Sequence, residues 1–264
     1  MSTDLATYIR AFECTWQGLI EVCERLTDAQ WAGPTDLPGW SVQDNVSHIV
    51  AEEAYQLGDP MPEHVLASDL AHVKSDFARE IELPIDFRRS HPGTAVLAEL
   101  RDVTSRRLDV LRGFRDEQLD QEVEFAGRVM PLRSALGIRA FDCWIHEQDV
   151  RRAVGAPGGL EDPGAVLTQA RLLRALSRVA QEVPAASGRT VVLATSGPNA
   201  ADAVLCSGAG PSGAAPDVRI TMPFETFVRL ATGRVAYDAV AGEVGFEGDA
   251  TLGAALCRHF AVTP

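Results

Sequence analysis

The stretch Arg139-Ala-Phe-Asp-Cys-Trp-Ile-His-Glu-Gln-Asp149 sets Asp142 and His146 at i and i+4 inside an apolar helical pattern. On an α-helix these two side chains project from one face, one turn apart, and can converge on one cation. Phe141, Trp144 and Ile145 surround them in sequence, so the carboxylate carries a large desolvation penalty unless a cation or a donor meets it. Any fold for this chain must supply that partner. A third donor is available in Trp40-Ser-Val-Gln-Asp-Asn-Val-Ser-His48, where Trp40-Ser41 looks like a staple residue and N-cap, with Asp44 at N3.

The helical periods around these two segments define a bundle. Leu5, Tyr8, Ile9, Phe12, Trp16, Leu19, Ile20 and Cys23 predict a first helix over about Asp4 to Arg25. The capping signal at Ser41 starts a second, running to about Leu57. Val96, Leu97, Leu100, Val103, Leu108 and Leu111 predict a third over Thr94 to Phe114. Glu122 to Met130 resembles a small β-hairpin, and Pro131 at N1 opens the fourth helix. Between the second and third helices, 58–92 reads as a lid or excursion with helical character over 68–79. Facing helices of a bundle are where metal sites are built.

Gly155-Ala-Pro-Gly-Gly-Leu-Glu-Asp-Pro-Gly164 has the composition of a linker. After a helix over Ala165 to Val183, the period shifts to strand-like runs at 190–195, 203–206 and 217–221. A short helix over Pro223 to Arg234 follows, with Gly233 as an αL cap. A last strand at Val240 to Phe246 and a helix capped by Asp249 close the chain. The expected fold class is therefore α+β: a helical bundle over 1–154 and a smaller α+β domain over 165–264.

With 24 Lys+Arg against 37 Asp+Glu, the formal charge of −13 repels phosphate backbones and anionic lipid surfaces. Neither nucleic acid nor membrane is an expected partner. The N-terminal sequence has no signal-peptide pattern and no apolar run approaches a membrane span, so a cytoplasmic setting is expected. The cysteines, Cys14, Cys23, Cys143, Cys206 and Cys257, are odd in number and scattered, unlike a disulfide framework or a cysteine-rich zinc module.

His48, Asp142 and His146 form a His-His-carboxylate set that leaves a coordination position open, as in catalytic zinc sites; other divalent metals suit the same donors. Glu52, at i+4 from His48, is either a further ligand or a solvated helix charge. Cys143 points about 100° away around its helix. Glu147 and Asp149 face other directions, and Asp149 is expected to pair with Arg151, Arg152 or backbone. His64, His72, His91 and His259 are expected at the surface. Trp16, Trp40, Met130 and 58–92 are the expected cavity lining.

Trp40-Ser-Val-x-Asp-x-Val-x-His48, followed by Arg139-x-Phe-Asp-x-Trp-x-His146-x-x-Asp149, resembles the mycothiol-dependent maleylpyruvate isomerase family of the DinB-like superfamily. Phe227-Val-Arg-Leu-Ala-Thr-Gly-Arg234 and Val244-Gly-Phe-Glu-Gly-Asp249-Ala-Thr-Leu252 are similar to that family's second, sterol-carrier-like domain. The resemblance implies a DinB-like four-helix bundle with His48, Asp142 and His146 as zinc ligands. It also implies mycothiol as the thiol whose nucleophile the metal activates. An arginine of the second domain, Arg234 or else Arg229, would bind the thiol or act near it; the plainer reading of either is a helix-end arginine on exposed carbonyls. The isomerase has Glu where this chain has Asp142, one methylene shorter. The implied activity is transfer of the thiol to a small electrophilic substrate, or isomerisation of that substrate. A binding protein with a vestigial metal site and a metal-dependent hydrolase use the same residues.

Overall fold

A computed structural model describes residues 3–67, 70–208 and 214–263. The chain divides into two compact units, Met1–Gly164 and Ala165–Pro264.

The first unit is built from α1 (Leu5–Cys23), α2 (Asp28–Trp31), α3 (Val42–Gln56), α4 (Asp76–Arg88), α5 (Gly93–Arg112), β1 (Glu122–Phe125), β2 (Arg128–Pro131) and α6 (Leu132–Val154). The four long helices form a ring in which α1 packs on α5 and α6, and α3 packs on the same two. Phe12, Trp16, Leu19, Val46, Ile49, Leu100 and Trp144 fill its interior.

Local chemistry sets the helix starts. Asp4 accepts from the Thr7 amide at 2.9 Å to begin α1. At α3, Ser41 Oγ accepts from the Asp44 amide at 3.2 Å while the Asp44 carboxylate accepts from the Ser41 amide at 2.8 Å. That reciprocal cap fixes the phase of the helix carrying His48. Ser41→Ala is expected to lower stability by about 1 kcal/mol, read as an earlier urea midpoint; an unchanged midpoint would remove the cap from this account.

Two of these elements differ from the sequence expectation. Pro131 is the N-cap of α6 rather than its first residue, because β2 runs to Pro131, whose ψ of 142° is still extended. The excursion carries its helix later than expected, at Asp76–Arg88, capped by Ser75 and continuing through Pro84. Ser68 and Asp69, where the expected helix began, lie outside the described residues. Pro84 lies inside this helix and has no amide hydrogen to give the preceding turn, while Arg88 Nη1 donates to the Pro84 carbonyl at 2.8 Å. This helix lies against α3.

The second unit contains most of α7 (Pro163–Glu182), then β3 (Val191–Ser196), β4 (Ala201–Cys206), β5 (Val218–Pro223), α8 (Phe224–Ala231), α9 (Tyr237–Val240), β6 (Gly245–Gly248) and α10 (Ala250–Cys257). Its sheet has the order β4-β3-β5-β6, parallel only between β3 and β5. Val191, Leu193, Val218 and Ile220 point into the core under Phe224, Phe227 and Leu256. Gly233, at φ 69°, closes α8 with its amide on Leu230 and the Arg234 amide on Arg229, a Schellman ending.

The last strand is shorter than expected. Residues up to Val240 are helical, Ala241–Glu243 form a 3-10 turn, and pairing starts at Gly245 opposite Thr221. Glu243 accepts from Thr226 Oγ1 of α8, which pins the turn. A Cβ on Gly245 would lie 2.5 Å from Thr221 Oγ1, so a larger residue there would force the Thr221 hydroxyl to turn away.

Candidate metal centre

Helix α6 is buried on every side over Arg139 to Val150 except at Asp142, whose side chain is 27 % exposed. Burial all round places this stretch at the centre of its unit although half of its residues are polar or charged, and its one open position is the carboxylate. His48, also buried, faces it from α3 with Nε2 at 3.1 Å from Asp142 Oδ2. His146 Nε2 lies 3.6 Å from Asp142 Oδ1. One donor atom from each of the three residues falls within 4.8 Å of the others, and among the described residues this is the group of three or more such side chains able to hold a metal ion. Donors on a tetrahedral zinc stand roughly 3.3 Å apart, given bonds of about 2.0–2.1 Å. The Asp142 oxygens already stand 3.1 and 3.6 Å from the two imidazole nitrogens, and the rest of the set, within 4.8 Å, would close toward that spacing around an ion.

The two imidazoles are held differently. Asn45 uses its amide donors on the Ser41 carbonyl at 2.9 Å and Thr35 Oγ1 at 3.1 Å, which turns its Oδ1 toward His146. His146 Nδ1 therefore donates to Asn45 Oδ1 at 2.8 Å, with Asp149 Oδ2 at 3.5 Å. This network assigns the proton to Nδ1 and leaves the Nε2 lone pair aimed at Asp142. Asp149 is paired in turn with Arg152, which also reaches Asp36 at 2.9 Å. On the side away from Asp142, His48 is held by packing: its Nδ1 is buried without a hydrogen-bond partner among the described residues, and the Trp40 ring covers it at 5.2 Å. Trp40 also covers His146 at 5.6 Å.

Trp40 is tied to the excursion. Its Nε1 donates to Glu82 Oε2 of α4 at 2.9 Å, and Glu82 pairs with Arg89 at 2.7 Å and His72 at 3.0 Å. Arg89 also donates to Asp44, the capping residue of α3, at 2.9 Å. His72 thus packs into the wall around the site, and His64 pairs with Asp86 at 2.7 Å. Both are less exposed than the surface placement expected of them, because acidic partners on α4 draw them inward.

The charges are strongly coupled. Burial opposes ionisation of Asp142, but His48, Arg139 and His146 hold its carboxyl well below the usual carboxylate range. Burial likewise opposes protonation of His146, yet Asp142 and Asp149 raise it above its ordinary value of 6.5. An ionised aspartate between two imidazoles is an anionic donor set with its open side toward solvent, suited to a divalent cation.

Other named residues fall outside the donor set. Glu52 faces Arg139 at 3.7 Å. Glu147 turns to Arg151 at 2.8 Å. Cys143 Sγ accepts from Trp16 Nε1 at 3.4 Å, away from the ligands, and burial pushes its thiol pKa well up. Met130 sits on β2 opposite Val123. In the second unit, Arg229 lies in the last turn of α8, and Arg234 Nη1 donates to the Thr232 carbonyl at 2.9 Å, the helix-end contact of the plainer reading.

Three participants are absent from the candidates drawn from the sequence: Asn45, Glu53 and Arg107. Asn45 lies one turn before His48, and that spacing was available. Glu53 is fully buried and receives Arg139 at 2.8 Å and Arg107 at 2.9 Å.

A ring of helices carrying two histidines and a carboxylate around an open position, followed by a separate α+β unit, defines a metal-capable helical protein with a second domain. The sequence over residues 12–151 matches the family model of the mycothiol maleylpyruvate isomerase N-terminal domain. That span is more than half of the chain, and the chain belongs to this family, an enzyme family of the isomerase or transferase kind. Among solved structures, the chain is similar to the crystal structure of a mycothiol-dependent maleylpyruvate isomerase at 19% identity and a TM-score of 0.57, covering 94% of this chain and 96% of that one. A histidine-to-alanine mutant of that isomerase matches over the same shares at 19% identity and a TM-score of 0.56. At that identity the likeness carries the fold. No curated protein compared with the chain matches it.

Proposed function

We propose that His48, Asp142 and His146 hold a divalent cation, zinc foremost, and that the protein uses it to activate a low-molecular-weight thiol toward a small electrophilic substrate. The observation that carries this reading is the convergence of three donors within 4.8 Å at the one open position of a buried helix. Bound there, the cation would supply a Lewis acid that lowers the pKa of a thiol and favours its thiolate near neutral pH. The family match supports mycothiol as the thiol. The outcome is transfer to the electrophile or its isomerisation.

The chain's own residues do the rest. Asn45 and Asp149 keep the His146 lone pair pointed inward, Trp40 shields both imidazoles from water, and Asp142 supplies the anionic donor. Arg234, or else Arg229, serves the thiol or an anionic group of the substrate, as the resemblance implies. Arg234→Ala is then expected to lower thiol-dependent turnover at least tenfold with metal content unchanged; full activity would remove that role. Five free cysteines suit a reducing, cytoplasmic setting.

The test is formation of a thiol adduct with a small electrophile, with and without a chelator. Loss of adduct formation on chelation, restored by added zinc, is expected. Equal rates in both would refute the proposal, and turnover without thiol would point instead to hydrolysis. Because a cation must displace the proton that Asp142 and Asp149 favour on His146, metal affinity should weaken as pH falls, and the weakening should begin above the ordinary histidine value of 6.5. Calorimetry in buffers of different ionisation enthalpy reads that proton release.

A further inference from the structure

One guanidinium reaches the Asp142 carboxylate. Arg139 Nη1 donates to Oδ2 at 2.7 Å, the oxygen that also faces His48. Arg139 also donates to Glu53 Oε1, from Nε at 3.0 Å and from Nη2 at 2.8 Å, while Nη2 reaches Cys143 Sγ at 3.4 Å and Nη1 faces Glu52 at 3.7 Å. The other oxygen of Glu53 accepts from Arg107 Nε at 2.9 Å. Arg107, Glu53 and Arg139 are all buried. A line of alternating charges therefore crosses from α5 through α3 to α6 and ends on the one carboxylate of the donor set. Stability gives no reason for such a line, since buried ion pairs are commonly no better than apolar side chains of similar volume.

We propose that Arg139 is a positioning residue for Asp142 as a metal ligand, and that Glu53 and Arg107 act on the same carboxylate through it. The inference rests on the metal reading of the site. An aspartate has a short reach, so the direction of its carboxylate decides whether an oxygen meets the cation held by two histidines. Arg139 fixes that direction by occupying Oδ2. A lone guanidinium beside a cation would repel it; Glu53 balances the charge, so Arg139 can hold the ligand without expelling the metal. Arg107 keeps Glu53 from swinging toward solvent or the site. Lysine cannot replace Arg139, because an ammonium lacks the planar fork that spans both carboxylates.

Cobalt(II) added to the full-length, metal-stripped chain is the probe, with affinity read by chelator competition, geometry by the visible absorption band, and folding by thermal melting. Arg139→Gln is expected to weaken binding about 10–100-fold, the range for outer partners of metal ligands, and to change the band at saturation. Arg139→Lys is expected not to rescue either. Arg107→Gln, which leaves Glu53 paired with Arg139, should weaken binding less. The double variant should be no worse than Arg139→Gln alone, because both act on one carboxylate. Folded variants with wild-type affinity and band, losses that add, or a lowered melting temperature with unchanged binding would each overturn the proposal. Absence of cobalt uptake by the wild-type chain would instead overturn the metal reading itself, and this inference with it.

Discussion

Replacing His146 with alanine should abolish useful metal binding: affinity for zinc or cobalt(II) falls by more than about a hundredfold, beyond the loss typical of outer-sphere changes. The effect is large because His146 is the best-organised donor. Its Nδ1 proton is held by Asn45 and Asp149, so its Nε2 lone pair is already aimed and little ordering remains for binding to supply. The metal-free variant should still fold, since α6 keeps the packing of Trp144, Ile145 and Val150. Chelator-competition titration of wild type and variant checks this. Binding within a few-fold of wild type would place the cation elsewhere.

The largest effect on stability is expected from Glu53→Met. The carboxylate lies between Arg139 and Arg107, so its removal takes from the buried Arg107 the carboxylate it pairs with and leaves Arg139 with Asp142 and the more distant Glu52. Breaking a buried pair from one side typically costs about 3–5 kcal/mol. Urea unfolding of the variant should show a loss in that range, with metal binding weakened as well. A loss below about 1 kcal/mol would mean that water or another acid reaches the guanidinium groups and that the line of charges is not a rigid unit.

Much of the first unit was legible in the residues. Ser41 and Asp44 announce the start of α3, apolar spacing marks α1 and α5, and the spacing of Asp142 and His146 brings them to one face. The Gly233 ending of α8 was equally local. What escaped depends on contacts between segments far apart in sequence. Glu53 and Arg107 are ordinary helix charges by type, and exposure is the norm for both; only the packing of α3 against α5 and α6 makes them buried partners. The helical turn at 241–243 escaped because Val240, Val244 and Phe246 carry strand-like side chains, while the pin on Glu243 comes from Thr226 on another helix. His72 and His64 were drawn from the surface by acids of α4, a helix displaced from its expected position.

X-ray absorption at the zinc edge, recorded on the zinc-loaded protein before and after addition of mycothiol or another small thiol, tests the central claim most directly. None of the five cysteines belongs to the donor set, so a sulfur neighbour can come only from the added thiol. The expected spectrum shows nitrogen and oxygen neighbours alone at first, then a sulfur at about 2.3 Å once thiol is present. Zinc that never gains a sulfur neighbour at saturating thiol, or a chain that holds no zinc, would contradict it.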